Sequence, residues 1–111
     1  EKAITSVKAK QSTDNGMNWK SITGVKPANS STILSSGASE ETNKMNIYDL
    51  AGNEWEWTLE KTLDSKYPCS NRGGSYNLEG VGYPVANRSN IGIADSSQNL
   101  SFRATFYADY K

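Results

Sequence analysis

The chain has 111 residues, of which 35% are hydrophobic, and it balances 12 Lys and Arg against 12 Asp and Glu; that is one domain's worth of chain with an economical core. The zero net charge argues against a nucleic-acid binder, which carries a basic excess or stripe, and no apolar run approaches the roughly 20 residues of a membrane-spanning helix. A single cysteine, Cys69, and no histidine exclude an internal disulfide, a Ser–His–Asp triad, a Cys–His pair and most zinc or non-haem iron sites. In chain order, residues 1–11 alternate in part and predict an edge strand. Residues 12–39 are rich in Ser, Thr, Asn and Gly, a loop composition, with one short strand expected around Asn18–Ile22. Ser39 is placed to cap one helical turn over 39–45, with Glu40 and Glu41 near its positive end. Asn53–Leu59 alternate, predicting a strand with Trp55, Trp57 and Leu59 on the inward face and Glu54 and Glu56 on the other. Residues 70–99 are Gly-, Asn- and Ser-rich and read as a long loop of the functional or disordered kind. At the end, Phe102, Ala104 and Phe106 alternate with Arg103, Thr105 and Tyr107, predicting a closing strand. There is no internal repeat. The opening residue is Glu1, with neither Met nor a signal-peptide pattern, so the chain reads as a piece of a longer or processed polypeptide.

Two tryptophans interleaved with two acids, in "YDLAGNEWEWTLE" at 48–60, are the strongest local feature. Trp55 and Trp57 read as core, each able to bury on the order of 200 Å². Glu54 and Glu56 read either as a solvated strand face or as acids that meet a cation. Gly73 and Gly74 read as backbone positions needing close packing or positive φ. A phosphate-cradling role would need a following helix, which the sequence does not predict. Ser75 has no base beside it in a recognisable motif. Sequon matches begin at Asn29, Asn87 and Asn99, a common coincidence in an Asn- and Ser-rich chain.

The order "NIYDLAGNEWEWT", "RGGSY", an arginine and "SFR" resembles the C-terminal half of the formylglycine-generating (sulfatase-modifying) enzyme family, over residues 45–107. Ser101 stands where that family's closing Gly-Phe-Arg has its Gly, and residues 1–44 carry no recognised signature. The resemblance implies a single α+β domain over 1–111 with a C-type-lectin-like fold: a small twisted antiparallel sheet, long irregular loops and little helix. The family's copper-binding cysteine pair aligns with Asn77 and Gly82, neither a thiolate; Cys69 precedes the Gly-Gly pair and is alone. The related iron-dependent sulfoxide synthases use His ligands, and the chain has none. The resemblance therefore implies the frame without either catalytic centre.

The same motifs are similar to those of the variable proteins of diversity-generating retroelements, lectin-like domains of phage tail tips and bacterial surfaces. Residues 70–99 match the Asn, Ser, Tyr, Asp, Gly, Thr, Ala and Ile palette of their adenine-mutated region. That likeness implies a non-catalytic binding module, with Tyr76, Asn77, Tyr83, Asn87, Asn90 and Gln98 as contact surface. Gly73, Gly74, Phe102 and Arg103 would then be the fixed frame. Tyr brings contact area with few rotors to freeze, and Asn adapts its hydrogen bonds. The implied partner is a protein or glycan on another cell or surface, and the implied setting extracellular, on a cell surface or virion. The alternatives are a divergent formylglycine-generating-type enzyme and a structural module of a larger surface protein. The family resemblance also implies a structural Ca²⁺ held by the Asp49 and Glu56 side chains and the Gly52 and Glu54 carbonyls, hard oxygen donors of the right kind. The competing partner for these acids is Arg103 or Arg72, as a charge-assisted pair.

Overall fold

The computed structural model describes residues 2–27 and 30–109. Among these the helical part is one 3₁₀ turn, Glu40–Thr42, and the rest is short strands and irregular loops. β1 (Lys2–Ile4) pairs antiparallel with β4 (Gly24–Lys26). β2 (Lys10–Ser12) lies between β3 (Lys20–Ser21) and β5 (Ile33–Leu34). The largest sheet has the order β8 (Arg88–Ile91), β7 (Cys69–Arg72), β6 (Trp55–Lys61), β9 (Leu100–Ser101). Its pairs are antiparallel except β6–β9, which runs parallel with Trp55 opposite Leu100 and Glu56 opposite Ser101. The architecture is that of a small lectin-like domain with irregular loops.

The N-terminal half forms its own apolar centre. Ile4, Ala9, Leu34 and Ala38 are buried together, with Ile22 packed against them. Strands of two or three residues cannot hold such a centre alone, so loops lace it. The Thr5 and Ser6 amides both donate to the Ala38 carbonyl, at 3.0 and 3.1 Å, and the Ser35 amide donates to the Lys10 carbonyl at 2.9 Å. The connection from β2 to β3 folds around Asp14, whose carboxylate accepts from the Ser12 hydroxyl and the Asn18 side-chain amide, each at 2.7 Å. Those donors hold the Asp14 carboxyl down at about 2, from an ordinary 3.8. Ser39 caps the 3₁₀ turn as expected, its hydroxyl accepting from the Glu41 amide at 3.2 Å.

Three strand expectations are revised. The edge strand of 1–11 is two strands, β1 and β2, in different sheets. Trp55 is buried and Trp57 half-buried, but Leu59 points fully to solvent, at 104% relative exposure. The β6–β7 register shifts between Trp57 and Lys61, and a bulge of this kind turns the following side chains off the inward face. The closing strand stops at Ser101; Phe102 and Phe106 are exposed and residues 102–109 have no regular structure. There Arg103 turns back to Glu56 and the Tyr48 carbonyl instead of continuing the ladder. Phe102 is therefore not part of the frame. Residues 70–99, read as loop, contribute most of β7 and all of β8.

Asn53 joins the two halves. Its side-chain amide donates to the Leu34 carbonyl at 2.8 Å and its side-chain oxygen accepts the Leu34 amide at 3.0 Å. Its own carbonyl accepts the Tyr76 amide at 2.6 Å. A φ of 69° at Asn53 makes this double reach feasible, in the left-handed region that Asn tolerates. Gly73, at φ 97°, closes against the same segment: a Cβ there would lie 2.9 Å from the Leu50 carbonyl oxygen.

Candidate functional site

Two cavities flank the segment 49–56. The more polar one, of about 350 Å³, is lined by Asp49, Gly52, Glu54, Glu56, Ser101 and Arg103 among others. All four residues expected at a metal thus share one cavity. The turn that delivers them needs positive φ at Asp49 (58°), Gly52 (80°) and Asn53 (69°), and the Gly52 amide ties it to the Gly73 carbonyl at 2.5 Å. Arg103 holds Glu56 with two hydrogen bonds, from Nε at 3.1 Å and from Nη2, and Nη2 also donates to the Tyr48 carbonyl at 2.9 Å. The Glu56 hydrogen bonds, and the charges of Glu56 and Asp49, raise the Arg103 pKa against a smaller opposing effect of burial. Asp49 accepts the Gly37 amide at 3.1 Å. Burial pushes the Glu54 carboxyl up, with a hydrogen bond from Ser101 opposing.

The arginine alternative is therefore realised at Glu56, by Arg103. Arg72 instead pairs with Glu60 at 2.7 Å, and Arg88 meets the other oxygen of the same carboxylate. The donors around Asp49 are oxygens, the right chemistry for Ca²⁺. However, both Glu56 oxygens face a guanidinium, and among the described residues no three acids, cysteines or histidines gather closely enough to hold a metal. In this arrangement the guanidinium of Arg103 supplies the positive charge beside Glu56.

The second cavity, of about 400 Å³, is largely apolar and lies between β1, β4 and the segment 74–83. Tyr76 and Tyr83, two of the expected contact residues, line it. Tyr76 is 5% exposed and belongs to the core, which corrects its assignment to an exposed contact surface. Tyr83 is partly framework as well, packing edge-on against Trp55 with ring centroids 6.0 Å apart. Asn77, Asn90 and Gln98 are exposed and Asn87 half-buried, and none of the four lines this cavity. Asn77 accepts the Ser75 hydroxyl at 2.6 Å; Asn87 donates to the Gly82 carbonyl at 3.4 Å; Asn90 lies on β8 opposite Ser70.

Ser75 is buried, and its hydroxyl donates to Asn77 and accepts from Asn99, so no base activates it. Cys69 is a free thiol in β7, half-buried. Of the sequons, Asn29 lies outside the described residues, while Asn99 is engaged with Ser97 and Ser75.

Sequence reasoning missed Lys2, Lys26 and Asn53. Lys26 is only 8% exposed and donates to the Tyr76 carbonyl at 2.8 Å. Burial, and then the charge of Lys2, lower the Lys26 pKa; burial lowers that of Lys2, against attraction from Asp49 and Glu41. Nothing in "GVKP" signals a buried lysine. Asn53 did carry a signal, standing in the quoted motif directly after the Gly of a turn. The profile of the sulfatase-modifying factor enzyme 1-like domain matches residues 2–106, so it takes in the N-terminal half that carries no motif. No curated protein and no solved structure matches the chain.

Proposed function

The chain belongs to the sulfatase-modifying factor enzyme 1-like family, and from that premise we propose that it is a member that binds a ligand and does not catalyse. The observation that carries this reading is the contrast within one segment. Gly73, Gly74, Ser75 and Tyr76 are buried at its root, while Asn77 and 79–86 are exposed beyond it. Side chains on such a loop can change without disturbing the sheet beneath. The absence of a thiol at Asn77 and Gly82 supports it further, because the resembled copper chemistry needs two soft thiolates there. On this reading the exposed residues Asn77, Asn90 and Gln98, with the half-buried Asn87, meet a protein or glycan on another surface. The domain would be displayed outside the cell or on a virion, in the manner of a diversified binding protein. Calcium is no part of the proposal while Arg103 neutralises Glu56.

Two experiments test it. Incubation with copper, oxygen and a sulfatase-type cysteine peptide should yield no formylglycine; turnover that Cys69→Ser abolishes would instead make the chain a divergent enzyme. On a glycan array and a panel of cell-surface proteins, the wild type should bind at least one member. Substituting Asn77, Asn87, Asn90 and Gln98 together by Ala should remove that binding while the melting point moves little, since exposed substitutions stay within about 0.5 kcal/mol each. Tyr83 is left out of the set because it supports Trp55.

A further inference from the structure

Strand β4 is inverted. Val25 faces solvent, 56% exposed, while its neighbour Lys26 faces inward at 8%. The antiparallel register sets Lys2 directly opposite Lys26, a like-charge pair that by itself destabilises a sheet. Both residues line the apolar cavity. Each ammonium is met by a carbonyl: Lys26 by that of Tyr76 at 2.8 Å and Lys2 by that of Ala51 at 3.3 Å. A carbonyl solvates an ammonium but leaves its charge uncompensated. Among the described residues the ion pairs are Glu60 with Arg72 and Arg88, and Glu56 with Arg103; neither lysine joins one. Asp49 and Glu41 attract Lys2 from a distance, and the charge acting on Lys26 is Lys2 itself. Buried charges are as a rule paired, so one negative charge near the two ammonium groups would complete the arrangement.

The rest of the wall is of another kind. Leu34, Leu78, Val81 and the tyrosines make it mainly apolar, and its volume of about 400 Å³ falls within the roughly 300–1,000 Å³ of small-molecule sites. Glu79 also lines it, and the mainly apolar wall favours a ligand with one small anionic end on an apolar body over a bare inorganic anion such as phosphate. We propose that this cavity binds a small organic carboxylate, its anionic end held by Lys2 and Lys26 and its apolar body against Leu34, Val81 and Tyr83. The inference is independent of the exposed-loop reading, because β1 and β4 supply both cations.

Titration of isotopically labelled protein with 4-phenylbutyrate, followed by amide NMR shifts, tests it, with 4-phenylbutyramide as the uncharged counterpart. The carboxylate should shift the amides of 51–53 and 75–81 and bind about ten-fold or more tighter than the amide, a difference of about 1.4 kcal/mol. Lys2→Met and Lys26→Met should each remove that preference, and Lys26→Arg should keep it. Melting curves establish that each variant is folded, and Lys2→Met, at the more exposed of the two positions, serves if Lys26→Met does not fold. Equal binding of carboxylate and amide would overturn the proposal. So would shifts confined to other residues, equal competition by inorganic phosphate, or no shift with phenylbutyrate, benzoate or decanoate at millimolar concentration. The exposed-loop quadruple variant should bind phenylbutyrate unchanged, which separates failure here from failure of the surface reading.

Discussion

The two halves of the chain bury different things. Residues 2–44 carry no recognised motif, yet they bury Ile4, Ala9, Ile33, Leu34 and Ala38. Residues 45–109 carry every quoted motif, yet they bury only Trp55 and Tyr76 among apolar side chains, beside the polar Ser70, Asn71 and Ser75. Leu59, Leu63, Phe102 and Phe106 in that half lie exposed. Motif and apolar core therefore part company. A core of Ile, Leu and Ala tolerates exchange among apolar residues of similar volume, so it leaves little fixed spelling. A turn that needs φ 97° beside a carbonyl, or an Asn that holds both backbone groups of one residue, accepts almost no substitute.

The contrast can be broken most forcefully at its exception, Trp55. Trp55→Ala should cost about 3–5 kcal/mol, the range of large aromatic truncations in cores. Urea unfolding should show Trp57→Ala costing clearly less, since Trp57 is only half-buried. Equal losses would mean the motif half has a two-tryptophan core after all. Asn53→Ala comes next. It leaves both backbone groups of Leu34 without the partners they have, for a loss of about 1–3 kcal/mol. Hydrogen exchange at the Leu34 and Tyr76 amides should quicken together; a change at Leu34 alone would show that Asn53 does not couple the two segments.

A smaller effect belongs to Arg103. Its pair with Glu56 is partly exposed, so Arg103→Ala should cost about 1 kcal/mol or less. Calcium should leave the wild-type melting point unchanged and raise that of the variant, whose Asp49 and Glu56 are then free of the guanidinium. A wild-type rise near the 2.7 kcal/mol expected at about a hundred times the dissociation constant would show that the ion displaces Arg103. The smallest effect sharpens the N-terminal side. Asp14 has its folded-state pKa lowered to about 2 from 3.8, so its contribution is present above the ordinary value and lost as pH falls through the lower one. Melting points between pH 4 and pH 2 should therefore fall less steeply in Asp14→Asn than in the wild type.

What was legible follows the same division. The Ser39 cap, the strand at Trp55, the positive φ of Gly73 and Gly74 and an arginine partner for Glu56 could be read because each has one local physical cause. The outward turn of Leu59 could not, because it depends on a register shift against β7. Nor could the early end of β9, which depends on where Arg103 finds its carboxylate. The burial of Lys26 is set by the pairing of β4 with β1 across the nineteen residues 5–23, which include β2 and β3 of another sheet, and no short window of the chain contains that information.

The parallel β6–β9 pair has a consequence for biosynthesis. The Trp55 amide donates to the Asn99 carbonyl at 2.9 Å, and the Ser101 hydroxyl to the Trp55 carbonyl at 3.2 Å. A ribosome delivers residue 55 long before residue 99. During that interval β6 can pair with β7 on one side, while its other edge stands open beside Trp55. An open edge with apolar neighbours is a template for another nascent chain. The hazardous period in making this protein is the wait for three residues, 99–101, and a chaperone that shielded the β6 edge would improve yield more than one acting on the N-terminal half.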